Sequence, residues 1–150
     1  MKIEEVLKSV NTMPLAQKTV LNLMYTQNVL AENFNELLKV YDLSAEQFNV
    51  LRILRGQKGK PANMCVIQER MIARTSNTTR LVDKLLLKGF VTREVCPTNR
   101  RKMEIGITQK GLDLLTELDP KVNKNHEFFT DNLTDTELEQ LNILLEKLRG

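Results

Sequence analysis

Apolar residues repeat at helical spacing over most of the chain. This spacing predicts a short amphipathic helix in residues 1–10, with its apolar face at Ile3, Val6, Leu7 and Val10. Pro14 favours the first turn of a second helix. The apolar stripe of that helix steps by four and three residues, with one polar break, through Ala16, Val20, Leu23, Gln27, Leu30, Phe34, Leu37 and Tyr41. A stripe this narrow requires a partner helix, either from elsewhere in the chain or from a second copy.

Capping boxes mark the starts of two further helices. Ser44 and Gln47 form the first box, and the helix that follows ends near Gly56. Thr134 and Glu137 form the second box, and the final helix then carries its apolar face at Leu138, Leu141, Leu144, Leu145 and Leu148.

The segments between these boxes predict two short helices, a hairpin and one more helix. The short helices cover roughly 63–71 and 75–88, and apolar and polar residues then alternate on both sides of a proline turn within 90–108. Thr108 caps a helix in which Pro120 must produce a break, a kink or a new start. The predicted fold class is therefore mostly α with a small antiparallel β-hairpin.

Length and composition indicate one ordinary globular domain. The chain has 150 residues, of which 41% are hydrophobic and 27% charged. No apolar run reaches the ~18 residues of a membrane helix, and the N-terminus lacks the apolar core of a signal peptide. Cys65 and Cys96 form no disulfide framework. These features predict a cytoplasmic protein that does not act at a membrane.

Positive charge is concentrated in the middle of the sequence. The formal net charge is only +3, yet residues 70–102 hold nine Lys or Arg against two acids, whereas residues 103–150 carry −5. A basic segment of this kind is expected where a polyanion binds, although a solvated basic face would have the same composition.

The helix predicted at 75–88 begins with short hydrogen-bonding side chains that are poor helix formers. Such a start suits a helix that presents polar groups to base edges in a major groove, although it also fits a capped surface helix. The hairpin turn carries three adjacent bases that phosphate could neutralise. Together the two features predict a winged helix-turn-helix, with DNA-binding candidates Thr75, Ser76, Asn77, Thr79, Arg80, Lys84, Arg100, Arg101 and Lys102; Lys88 is a further candidate phosphate contact.

Residues 43–115 resemble the MarR family of transcription regulators. The most specific stretches are "TRLVDKLLLKGFV" at 79–91, "NRR" at 99–101 and "ITQKG" at 107–111. The resemblance implies a homodimer that binds double-stranded, pseudo-palindromic operators, usually as a repressor. It further implies dimerisation helices in 1–42 and 109–150, a DNA-binding lobe in 44–108, and small, often aromatic or anionic, effectors between the two parts.

The resemblance also assigns individual residues and shows two departures. Arg80 matches the family's recognition-helix arginine, and Arg100 and Arg101 match its wing pair. An aspartate usually precedes that pair, whereas this sequence has Asn99, which offers only a neutral hydrogen bond and predicts a looser wing. The recognition helix often begins Ser-Pro, and Arg74-Thr75 stand there instead.

Other chemistry has weaker support in the sequence. Cys96, beside the basic turn, is the candidate redox-sensing residue, whereas Cys65 is expected to be buried and inert. His126 has no metal-ligand spacing around it, and Phe128 and Phe129 are expected to pack in the dimer layer. No nucleophile–base set or glycine-rich phosphate loop is present, so we predict no catalytic site and no cofactor. A winged-helix protein-interaction module without DNA binding is the alternative, which a depleted basic tip would favour.

Overall fold

The computed structural model describes residues 1–150 and contains seven helices and one two-stranded antiparallel sheet. This confirms the predicted fold class. In chain order the elements are α1 (Ile3–Val6), α2 (Leu15–Lys39), α3 (Ala45–Gly56), α4 (Met64–Arg70), α5 (Thr78–Leu87), β1 (Val91–Cys96), β2 (Asn99–Ile107), α6 (Gln109–Thr130) and α7 (Asp135–Arg149).

The first helix is shorter than its apolar spacing predicts. It ends at Val6, and Lys8 then adopts a positive φ of 51°, which turns the chain away. Ile3 is buried, and the Glu4 carboxylate lies 2.7 Å from Lys18 Nζ of α2. The hydrogen bond from Lys18 lowers the pKa of Glu4. The segment is therefore held against α2 by one side chain and one ion pair rather than by a longer helix.

Helix α3 lies at the centre of the hydrophobic core. Its capping box forms as predicted, since the Gln47 backbone N–H donates to Ser44 Oγ at 3.1 Å and the Ser44 N–H donates to Gln47 Oε1 at 3.1 Å. Leu51 and Leu54 share the core with Leu85 of α5 and Leu115 of α6. The first half of α6 therefore belongs to the same core as the helices of the lobe.

Helix α6 continues through Pro120, so of the three outcomes predicted for the proline a break and a new start do not occur. Leu118 and Val122 are buried on either side of the proline, and their packing offsets the backbone hydrogen bond that proline cannot donate. Beside them, Arg55 donates from Nη1 and Nη2 to the Asp119 carboxylate at 2.8 and 2.9 Å. This bidentate contact joins α3 to the middle of α6.

The hairpin is anchored at its base on both sides. Ala62 exchanges two backbone hydrogen bonds with Ile105 of β2, at 2.9 and 2.7 Å. At the start of α6, Gly111 is packed so closely that a Cβ would lie 2.5 Å from the Phe90 carbonyl oxygen and 2.8 Å from Ile107 Cγ1. Only glycine fits there without movement of the backbone, so the orientation of the hairpin relative to the helices is fixed.

Helices α2 and α7 leave much apolar surface exposed. The C-terminal end of α2 packs on the core through Leu38, but Val20 and Met24 are 50% and 63% exposed. Helix α7 has no buried residue, although its predicted capping box forms. The Thr134 backbone N–H and hydroxyl donate to the Glu137 carboxylate and lower its pKa. None of the seven helices is both long and apolar enough to span a membrane.

Candidate nucleic-acid interface

The polar segment before α5 is a turn rather than the first turn of a helix. The predicted start at 75 is wrong, because the Asn77 side chain caps the helix by accepting a hydrogen bond from the Arg80 N–H at 3.1 Å. Thr75 and Ser76 lie in the connection from α4, where the Ser76 N–H donates to the Ala73 carbonyl at 3.0 Å. Thr75, Ser76 and Asn77 are thus placed directly ahead of the helix N-terminus.

The exposed face of α5 carries Thr79, Arg80 and Lys84, and Arg80 and Lys84 make no ion pair within the protein. The opposite face carries Val82 and Leu85, which are fully buried. Thr78 belongs to this buried face. Its hydroxyl donates to Gln68, so Thr78 is not exposed beside Asn77 and Thr79.

Lys88, the further candidate phosphate contact, has partners within the protein. Its ammonium group donates to the Asp42 carbonyl oxygen, lies 3.5 Å from the Asp42 carboxylate and donates to Gln47 Oε1 at 3.4 Å. It therefore holds the C-terminal end of α5 to the connection between α2 and α3. Helical spacing places Lys88 on the same side as Lys84, but only the packing shows that acceptors meet it there.

The three adjacent bases of the hairpin lie in a bulge of β2. The turn itself is only Pro97 and Thr98, because Cys96 pairs with Asn99. Val95 pairs with Met103, so residues 100–102 have no partners in β1. The prediction that these bases lie in the turn is therefore wrong: they follow the turn and lie in β2. All three are exposed and none makes an ion pair within the protein.

Asn99 orders the backbone of this bulge. Its Oδ1 accepts a hydrogen bond from the Arg101 backbone N–H at 3.1 Å, which is an Asx-type turn. The acceptor is therefore used on the main chain and not on a guanidinium group. The side chain of Arg101 remains free to extend into solvent.

Few of the bases in residues 70–102 are neutralised by acids. Arg93 lies 2.5 Å from the Asp83 carboxylate, and Lys88 pairs with Asp42. The remaining seven bases make no ion pair within the protein, and we call them the unpaired bases: Arg70, Arg74, Arg80, Lys84, Arg100, Arg101 and Lys102. These residues lie on α4, on α5, in the turn between these helices, and on the β1–β2 hairpin, which we call the wing. Positive charge is therefore concentrated on one lobe.

The two cysteines are arranged differently from the prediction. Cys65 is exposed, because α4 turns Ile67 into the core and places Cys65 on the opposite face, where it lines a groove of about 620 Å³ beside the start of α5. The expectation that Cys65 is buried is therefore wrong. Cys96 is partly exposed, with its Sγ 3.4 Å from Thr98 Oγ1.

The remaining singled-out residues lie outside this lobe. Phe128 is 66% exposed and contacts Phe129 edge-on, with ring centroids 5.2 Å apart. His126 lies next to them on α6. No group of three or more His, Cys, Asp or Glu side chains in the protein is arranged to hold a metal ion.

Comparisons with known proteins match this chain to transcription regulators. The family model described as MarR family matches residues 43–103. The transcriptional repressor MprA of Escherichia coli strain K12 is 29% identical over 126 residues, which are 83% of this chain and 71% of MprA. The crystal structure of a MarR transcription factor from Planctomyces limnophilus is 33% identical, covers 91% of this chain and 98% of that one, and has a TM-score of 0.71.

A further solved structure shares the fold alone. BpsR of Bordetella bronchiseptica is 18% identical, with a TM-score of 0.81 over 93% of this chain and 99% of that one. The DNA binding of BpsR is described as regulated by 6-hydroxynicotinic acid.

Proposed function

Because the chain belongs to the MarR family of transcription regulators, we propose that it is a homodimeric repressor that binds pseudo-palindromic operators through α5 and the wing. The family consists of transcription regulators and not of enzymes. The observation that carries the proposal is the set of seven unpaired bases on one lobe. Without a polyanion these charges repel one another, and a duplex would neutralise them with release of counterions.

Helix α5 is the element that we assign to the major groove. Thr79 and Arg80 stand on its exposed side at the N-terminal end, and the polar turn residues Thr75, Ser76 and Asn77 precede them. Short hydroxyl and amide groups can reach base edges, and a guanidinium group can bind guanine through two hydrogen bonds. Lys84, one turn further along the same side, is assigned to a phosphate.

We assign the wing to the sugar–phosphate backbone or the adjacent minor groove. The bulge extends Arg100, Arg101 and Lys102 from the end of a hairpin whose base is fixed to the body of the lobe. Glu94 and Glu104 pair with each other further along the two strands, so the negative charge of the hairpin lies away from the three bases. Arginine is favoured where the minor groove is narrow and its potential most negative.

Exposed apolar residues on α2, α6 and α7 support the homodimer. Helix α7 has leucines on one face but no buried residue, and Leu144 and Leu148 are 63% and 59% exposed. Val20 and Met24 of α2 and Phe128 of α6 are exposed as well. Apolar surface on this scale is costly in a monomer, and a second copy would bury it around a two-fold axis. We therefore assign residues 1–42 and 109–150 to dimerisation and residues 44–108 to DNA binding.

Regulation by a small molecule or an oxidant is part of the proposal. An open cleft of about 630 Å³ lies where α2, α3 and α5 meet. Lys39 and Lys88 line it but are paired with Glu36 and Asp42, so Lys84 is its one unpaired amine. That amine suits an anionic effector, and a ligand there would touch both the proposed dimerisation helices and α5. Cys96, the last residue of β1, is partly exposed near the tip of the hairpin, so its oxidation would alter the element that carries the three bases.

Selection of duplexes from a random pool by the purified protein tests the proposal. We expect an enriched site with two inverted half-sites about one helical turn apart, because a two-fold dimer presents two copies of α5. The same selection with an oxidant, and with a Cys96→Ser variant as the matched control, tests the redox element. A pool that remains random after repeated rounds would contradict sequence-specific binding.

A further inference from the structure

The turn that leads into α5 is held mainly by side chains that hydrogen-bond to the main chain. Met71 is buried, but residues 72–75 are exposed, so apolar packing contributes little there. Asn49 of α3 accepts a hydrogen bond from the Ile72 N–H at 2.9 Å, and Asn77 caps the helix that follows. Between these two points the turn is held by Gln68.

Gln68 makes two hydrogen bonds with opposite polarity. Its Nε2 donates to the Arg74 carbonyl oxygen in the turn, and its Oε1 accepts from the hydroxyl of Thr78, the first residue of α5. Thr78 is only 5% exposed, and this is the only hydrogen bond between α4 and α5. One amide group therefore links α4, the turn and the start of α5.

We propose that Gln68 is a positioning residue that sets the orientation of α5 and thereby its discrimination between DNA sequences. The inference depends on the proposed role of α5 in the major groove. Hydrogen bonds to base edges require a defined geometry, whereas long Lys and Arg side chains can follow a phosphate that shifts slightly. Movement of the helix start therefore reduces sequence discrimination and leaves the phosphate contacts in place.

Two conservative substitutions separate this role from a general loss of structure. Gln68→Glu keeps the size and the acceptor for Thr78, but a carboxylate cannot donate to the Arg74 carbonyl. Thr78→Val keeps the shape and removes the hydroxyl, and Thr78→Ser retains the hydroxyl. Gln140→Glu, at an exposed position on α7 that lies off the leucine face assigned to the dimer contact, is the matched control for the added charge.

The measurement is fluorescence anisotropy with two labelled duplexes, one selected by the wild-type protein from a random pool and one scrambled. We expect Gln68→Glu and Thr78→Val each to reduce the ratio of the two affinities about five- to tenfold, since Gln68→Glu frees the Arg74 carbonyl of the turn and Thr78→Val leaves the half-buried Gln68 without its donor. Thr78→Ser and Gln140→Glu should stay within about twofold of wild type. The salt dependence of binding to the scrambled duplex should not change.

The possible outcomes are distinguishable. Equal losses on both duplexes, or an unchanged ratio in both Gln68→Glu and Thr78→Val, would overturn the positioning role while the proposed function stands. If Gln68→Glu does not fold, as judged by circular dichroism, the Thr78→Val and Thr78→Ser pair decides the question. A wild-type protein that selects no duplex would refute the proposed function itself and, with it, this inference.

Discussion

Replacement of Arg101 by alanine tests the wing most sharply. Arg101 is exposed, makes no ion pair, and only its backbone N–H is held, by Asn99 at 3.1 Å. The substitution therefore removes one positive charge without breaking a side-chain contact within the protein, and we expect an unchanged melting temperature.

The magnitude follows from counterion release. One phosphate contact contributes about 0.9 to the slope of log K against log salt, so a dimer that loses two Arg101 side chains should have a slope smaller by about 1.8. Between 50 and 200 mM salt, wild-type affinity should then fall about tenfold more than that of the variant. The loss of affinity at low salt should be similar for all duplexes, because phosphates carry no sequence information.

The assay is fluorescence anisotropy with one selected and one scrambled duplex at five or more salt concentrations. Lys124→Ala removes one charge from α6 at an exposed residue that makes no ion pair, and it should leave the slope unchanged. An Arg101→Ala slope equal to that of wild type would show that this residue contacts no phosphate, and the assignment of the wing would have to be abandoned.

Three further substitutions have defined outcomes. Arg80→Ala should weaken binding to the selected duplex by about 1–3 kcal/mol and binding to scrambled DNA much less, as measured by fluorescence anisotropy. Equal losses of affinity for the two duplexes would mean that Arg80 only positions the protein. Gly111→Ala should lower the free energy of unfolding by about 1–3 kcal/mol in a denaturant titration, because the new Cβ meets backbone 2.5 Å away. Gly56→Ala, where a Cβ meets nothing within 4 Å, is its control, and a Gly111→Ala variant as stable as wild type would contradict the packing. Asp119→Asn breaks the bidentate contact with Arg55 and should lower the free energy of unfolding by at most about 1 kcal/mol, since both side chains are more than a third exposed. A melting temperature more than about 5 °C below that of wild type, measured by calorimetry, would mean that the contact stabilises the protein more than a surface ion pair does.

Local patterns were sufficient to predict the elements of the fold. Side-chain spacing and capping chemistry act within a few residues of one another, so Ser44 with Gln47 and Thr134 with Glu137 marked helix starts that the structure confirms. Other features depend on segments that are distant in sequence. Helix α6 continues through Pro120, because residues far away in sequence pack around it, and Ala62 contributes an extra bridge to the hairpin that its surrounding loop residues do not indicate.

The same distinction applies to the candidate interface. The charged residues were visible in the sequence, but their partners were not: Lys88 binds Asp42, Arg93 binds Asp83, and only packing distinguishes them from the unpaired Arg80 and Lys84. Gln68 was missed altogether, because a lone glutamine in a short helix gives no local signal. Its importance becomes visible only when the turn and α5 are seen folded around it.

Amide hydrogen exchange with and without the selected duplex tests most directly whether the unpaired bases lie against DNA. The proposed function predicts slower exchange in peptides that cover residues 74–84 and 99–103 when the duplex is added at low salt, and no change in α7. Unchanged exchange in both regions, or protection confined to α7, would contradict it.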